Sequence, residues 1–144
     1  MDGSESKLAD SFTTLGELKE RVRRFRDERD WEQFHNPKDL CIALAIEAAE
    51  LLELCRFKET QELESQIKAG HLPEFAQEMS DVFSYLLSLA VRLDIDMSSA
   101  LQEKMAINAA HYPVQLARGR KAKYTELLKE SKTEGGRADG RSRK

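Results

Sequence analysis

Four acids in two pairs are the residues best able to do chemistry in this sequence. Glu47 and Glu50 lie in AIEAAELLEL, and Glu78 and Asp81 in EFAQEMSDVFSYLL. Each pair is spaced i, i+3, so on a helix both carboxylates share one face, one turn apart. At 100° per residue, Leu40, Ala43, Leu44, Leu51 and Leu54 fall within about 60° of Glu47. Phe75, Val82, Tyr85 and Leu89 surround Glu78 in the same way. These acids sit inside an apolar stripe, whereas acids ordinarily sit opposite one. A helix apolar nearly all round is expected to be buried. Isolated carboxylates are buried only at great cost unless they are paired or hold a metal. No stretch nearby supplies four basic partners. A divalent cation on Glu47, Glu50, Glu78 and Asp81 resolves the conflict. A carboxylate-only set selects a hard ion, Mg²⁺ or its substitute Mn²⁺. A single E-x-x-E is usually a solvated surface pair; here that reading must hold on two helices at once.

A second group points to what such a cation would act on. Lys104, Asn108 and His111 recur at i, i+4, i+7, with Tyr112 just beyond. Mg²⁺ is commonly held by a few carboxylates together with substrate phosphates. Lys104 would add a point charge for a phosphate, and Asn108 an orienting hydrogen bond. Alone, Lys104 reads as a surface lysine; Asn108 and Tyr112 beside it give it weight. Trp31, Phe34 and His35 offer two rings and a polar edge for a base. Trp31 reads equally as a staple between the first two helices, and Phe34 most simply as core.

The whole chain sets the bounds. Its 144 residues suit one domain with a real core. The net charge of −3 hides an asymmetry: residues 1–116 carry 13 Lys+Arg against 22 Asp+Glu, and residues 117–144 carry 10 against 4. The acidic body argues against nucleic-acid binding, and it makes a polyanionic substrate depend on a cation. No apolar run reaches the roughly 18–20 residues that span a bilayer, so no membrane role is expected. The start, MDGSESKLADSF, lacks a basic region and an apolar run, so it is not expected to act as a signal peptide. Cys41 and Cys55, if on one helix, stand about 21 Å apart, too far for a disulfide. They read as small core residues in a reducing, cytoplasmic setting.

The elements that must position the acids are helices. Thr14-Leu15-Gly16-Glu17 is a capping box opening the first. Asn36-Pro37 opens the second, expected to run to about Phe57. Residues 58–72 mix helix and loop, and Pro73 opens the third, to about Leu93. Ser80, Ser84 and Ser88 form a small-residue stripe expected to serve close packing. Asp96 caps a fourth helix from Met97 to about His111, stopped by Pro113. The fold class is all-α, a bundle of four main helices, with a flexible N-terminus (1–13), a helical domain (14–128) and a disordered basic tail (129–144) that has almost nothing to bury.

Together these motifs resemble the MazG-like all-α nucleoside triphosphate pyrophosphohydrolases: E-x-x-E at 47–50, E-x-x-D at 78–81, K-x-x-x-N at 104–108, then Tyr112-Pro113. ERDWEQFHNPKDL, with KYTEL at 123–127, is closer still to the dCTP pyrophosphatase branch. The resemblance covers roughly residues 14–128. It implies hydrolysis between the α and β phosphates, giving a monophosphate and pyrophosphate. It implies Mg²⁺ on the four acids, one of which helps to activate water. It also implies phosphate contacts from Lys104, Asn108 and Tyr112, a base pocket around Trp31 and His35, and a homotetramer or dimer with sites near subunit interfaces. Phe57 stands in the substrate pocket where similar dCTP enzymes usually carry Trp, and His111 where many MazG-like chains carry Arg.

Other readings remain: a related enzyme acting on dUTP, nucleoside triphosphates at large or phosphoribosyl-ATP, or a non-catalytic helical oligomerisation module. A di-iron bundle would need E-x-x-H, and no histidine follows Glu50 or Asp81 at that spacing.

Overall fold

The computed structural model describes residues 8–121 and 125–126. All regular elements among them are helical. They are α1 (Leu15–Asp27), α2 (Pro37–Glu53), α3 (Thr60–Gln66), α4 (Leu72–Arg92), α5 (Met97–His111) and α6 (Val114–Ala117). The expected tail, residues 129–144, and most of KYTEL lie outside the described residues. The chain divides into two compact units, 1–97 and 98–144.

In the first unit, α4 is the central element. α2 packs along it, and α1 packs on it as well. The fully buried core is small: Leu40 from α2, and Leu87 and Ala90 from α4. The caps are those the sequence encodes. The Thr14 hydroxyl accepts from the Glu17 amide (3.2 Å), and the Glu17 carboxylate accepts from the Thr14 amide (2.7 Å). The Asn36 side chain accepts from the Asp39 amide (3.0 Å), with Pro37 in the first turn of α2. Just before α1, residues 9–13 form a turn in which the Phe12 and Thr13 amides donate to the Ala9 carbonyl.

Two helices end in the same way. After α1, Asp30 takes a left-handed conformation (φ 52°) and Trp31 donates its amide to the Arg26 carbonyl (3.1 Å). After α4, Asp94 (φ 53°) and the Ile95 amide, donating to the Ala90 carbonyl (3.0 Å), repeat the arrangement. Both are Schellman closures, in which the first residues past a helix satisfy its last carbonyls. A side-chain bond then ties the two ends of the unit, from Lys19 Nζ to the Ile95 carbonyl (2.9 Å).

Several expectations are corrected. α2 stops at Glu53, not near Phe57; the chain turns there, and Phe57 itself is left-handed (φ 57°). α2 is apolar nearly all round but is not a buried helix: Leu40 is its one buried residue, while Ile42 and Ile46 are each 52% exposed and Leu52 67%. α2 has α4 as its main neighbour within the unit, which leaves its other flank open. Cys41 is exposed rather than core, and Cys55 lies past the end of α2; both are free thiols. Phe34, expected in the core, is 62% exposed. Between α3 and α4 the chain makes a π-type turn, Ile67–His71, broken at Gly70 (φ 117°). Nothing lies within 4 Å of where a Cβ would stand on Gly70, so conformation rather than crowding requires glycine there.

In the second unit, α5 begins at the expected boundary and ends where expected, at His111. The Tyr112 amide continues its bonding by donating to the Asn108 carbonyl (2.9 Å). The short α6 follows Pro113 and was not legible in the sequence.

Candidate active site

α2 and α4 lie side by side, and each carries one acid pair. Their packing brings Glu47, Glu50 and Glu78 together, with one carboxylate oxygen from each within 4.8 Å of the others. That spacing suits a shared hard cation, and the donor set is all carboxylate. Glu47 and Glu78 are half-buried, while Glu50 is exposed, so the acids are less deeply buried than the apolar stripe implied. Burial raises the Glu47 carboxyl above its ordinary range, and the charges of Glu50, Asp81 and Glu78 raise it further. A carboxylate held against three others is an unfavourable arrangement that a bound cation would reverse. Asp81 lies outside the triad but within the field of Glu47.

Glu47 and Asp81 also line a cavity of about 690 Å³. Trp31 and His35 line the same cavity, and Leu18, Val22, Phe25, Phe83 and Leu87 supply an apolar lining. The Trp31 and His35 rings lie 6.3 Å apart at 41°. Their placement follows from the closure of α1: the Schellman bond delivers Trp31, and a single 3-10 turn, Glu32–Phe34, delivers His35. His35 Nδ1 is buried and has no hydrogen-bond partner among the described residues. Burial, and then the neighbouring Arg26 charge, lower the His35 pKa, so the neutral imidazole is favoured. A neutral imidazole among the lining residues can offer a polar base edge one donor and one acceptor.

Sequence reasoning missed part of this lining. Ser80, Ser84 and Ser88, expected only to aid packing, line the cavity, as do Arg21, Arg26 and Tyr85. The serine hydroxyls donate back to their own helix, to the carbonyls of Ala76, Asp81 and Ser84. The signal was available: the stripe falls four residues apart on the helix that carries Glu78 and Asp81. Arg26 is held by Asp27 through Nε (2.7 Å) and Nη2 (2.6 Å), and its side chain is only 11% exposed.

Phe57 does not line the cavity. It is 92% exposed, with the Arg56 guanidinium 4.7 Å from its ring centroid. Lys104, Asn108 and Tyr112 belong to the second unit. Along α5, Asn108 is half-buried, Lys104 is exposed, and Tyr112 follows the helix end.

An all-helical chain whose paired helices present three clustered carboxylates matches the MazG-like family model over residues 42–127, and the chain belongs to that family. Among its relatives, dCTP pyrophosphatase 1 of Rattus norvegicus is 41% identical over 115 residues, covering 79% of this chain and 68% of that protein. dCTP pyrophosphatase 1 of Homo sapiens is 42% identical over 118 residues, again covering 79% and 68%. The crystal structure of a pyrophosphatase from Archaeoglobus fulgidus superposes with a TM-score of 0.65 at 34% identity, covering 74% of this chain and 99% of that one.

Proposed function

We propose that this protein is a nucleoside triphosphate pyrophosphohydrolase that cleaves dCTP, or a 5-substituted relative, between the α and β phosphates. The observation that carries the reading is one cavity lined both by the Trp31–His35 ring pair and by Glu47 and Asp81, with Glu47 belonging to the cluster of three carboxylates. The dCTP pyrophosphatases at 41–42% identity support the substrate.

The residues fit Mg²⁺, with Mn²⁺ as a substitute. Glu47, Glu50 and Glu78 would hold the ion, and Asp81 beside Glu47 would complete the set. Bound there, the ion supplies charge neutralisation for phosphate oxygens and lowers the pKa of water. The protein's part is to orient. The triphosphate lies toward the acids, and the base lies against Trp31 with its polar edge at His35. One of the four acids takes the proton of the attacking water. Lys104, Asn108 and Tyr112 contact phosphates.

The reading includes self-association, as a homotetramer or a dimer. Ile42, Ile46 and Leu52 on α2, and Met79 on α4, expose apolar surface that a second copy would cover. An exposed Phe57 suits covering by a neighbouring copy's site. Among the described residues no helix is long and apolar enough to cross a membrane. The setting proposed is cytoplasmic, with neither nucleic acid nor membrane as partner.

The test is pyrophosphate release from a panel of dCTP, dTTP, dATP, dGTP and 5-methyl-dCTP with Mg²⁺. The expected result is the highest kcat/KM on the cytosine nucleotides. Equal values across the panel would remove the base assignment and leave a general triphosphate pyrophosphohydrolase; no turnover at all would favour a non-catalytic oligomer. Light scattering reads the assembly separately.

A further inference from the structure

The ring pair at the cavity is one end of a longer stack. The Phe25 ring meets Trp31 edge-on, with centroids 6.0 Å apart and planes at 74°. On Phe25 the Arg29 guanidinium sits 3.5 Å from the ring centroid. Arg29 is itself pinned, because its Nη1 donates to the Phe25 carbonyl (2.9 Å), one of the last carbonyls of α1. Trp31 then leads to His35 at 6.3 Å. The order in space is Arg29, Phe25, Trp31, His35.

From this stack we infer that Phe25 and Arg29 are positioning residues that set the plane of the Trp31 indole against which the substrate base stacks. Main-chain closure alone fixes where Trp31 leaves the helix, but not how its indole turns. In a Schellman closure, an apolar contact between the second residue past the helix and the last helical turn commonly accompanies the main-chain bonds. Here that contact is aromatic, and edge-to-face geometry has a preferred angle. Arg29 in turn holds the Phe25 ring by a cation–π contact. The stack is local, lying within residues 25–35, and it ends on the unsatisfied Nδ1 of His35. It therefore orients a ring before any substrate arrives. The inference rests on the proposed stacking role of Trp31.

Trp31 is the only tryptophan in the chain, so its fluorescence reports this ring alone. The experiment compares wild type with Phe25→Leu, Phe25→Tyr, Arg29→Met and Trp31→Ala, each checked for helical content. It reads acrylamide quenching and anisotropy without nucleotide, then KM and kcat on dCTP with Mg²⁺. Phe25→Leu is expected to raise quenching, lower anisotropy and raise KM about threefold to tenfold, with kcat within about twofold. Phe25→Tyr keeps the ring and should restore all three; Arg29→Met should give a smaller change of the same sign. Unchanged fluorescence in Phe25→Leu would overturn the inference. So would altered fluorescence with KM unchanged, provided Trp31→Ala does raise KM. If Trp31→Ala leaves KM untouched, it is the stacking role that has failed, and the positioning role falls with it. Because Phe25 and Arg29 are partly exposed, their replacement should leave the fold intact. Should Phe25→Leu lose helical content, Arg29→Met gives the same readouts and decides in the same way.

Discussion

Two parts of the candidate site, an acid end and a ring end, are built on opposite principles. At the acid end, Glu47, Glu50 and Glu78 are forced together by the packing of α2 on α4, and their charges oppose that packing. At the ring end, Arg29, Phe25, Trp31 and His35 are drawn together by local contacts and main-chain bonds within one short stretch. On the proposed function the acid end would be completed by a bound cation, whereas the ring end is complete beforehand. Ligand recognition would then be divided between a cluster whose charges call for a cation and a surface that is already in place.

Changes at the acid end should break this contrast most strongly. Glu50→Gln or Asp81→Asn should lower Mg²⁺-dependent turnover by more than about a hundredfold, beyond what loss of an outer-shell partner costs a metal site. The same substitutions remove like-charge repulsion, so the melting temperature of the metal-free protein should stay level or rise. A near-wild-type rate at saturating Mg²⁺ would refute the assignment. A large fall in stability would mark the acid as a structural ion-pair partner.

Proton linkage sharpens the contrast next. The folded Glu47 carboxyl has a pKa above its ordinary 4.5, so the folded state binds its proton more tightly than the unfolded state does. Stability must then fall as pH rises from about that value through the raised pKa. Melting of the metal-free protein followed from pH 4.5 toward neutrality should show this decline. Mg²⁺ should reduce it, and Glu47→Gln should flatten it. A wild-type profile no steeper than that of Glu47→Gln would show that the repulsion is not felt.

The ring end should respond more mildly. Trp31→Ala should lower kcat/KM by about tenfold to a hundredfold, because a base–aromatic stack is worth about 1–3 kcal/mol. Its effect on metal-free stability should be much smaller than its effect on kcat/KM. The smallest effect is that of His35→Ala. It should narrow the preference for dCTP over dTTP by about twofold to tenfold, the worth of one neutral hydrogen bond, while lowering the common rate less. Steady-state kinetics on both nucleotides decide it; an unchanged ratio would remove His35 from base reading.

Much of the acid end was legible in the sequence, because i, i+3 spacing fixes which carboxylates share a helix face before any tertiary contact is known. The caps at Thr14 and Asn36 and the bounds of α5 were legible for the same local reason. What covers a helix is a different matter. The apolar surroundings of Glu47 implied burial, yet Ile42 and Ile46 remain open, since periodicity describes a helix and not its neighbours. Ser84 and Ser88 were misjudged in the opposite sense: small residues on an inward face read as packing, whereas here they border space. The Phe25–Trp31 contact was in principle readable. An aspartate one residue before the tryptophan, just past a helix, is a closure signal, and the aromatic six residues earlier is its partner.

The broken turn at Gly70 carries a consequence for how this chain can change in length. Both acids of α4 lie downstream of it, so their angular phase about the helix axis is set from Leu72 onward. A residue gained or lost at 67–71 would shift α3 without rotating Glu78 against Asp81, while the same change between 82 and 86 would turn the cavity-lining serines away from one another. Gly70 thus marks a place where a change in length is expected to cost little, beside an element where it is expected to cost much.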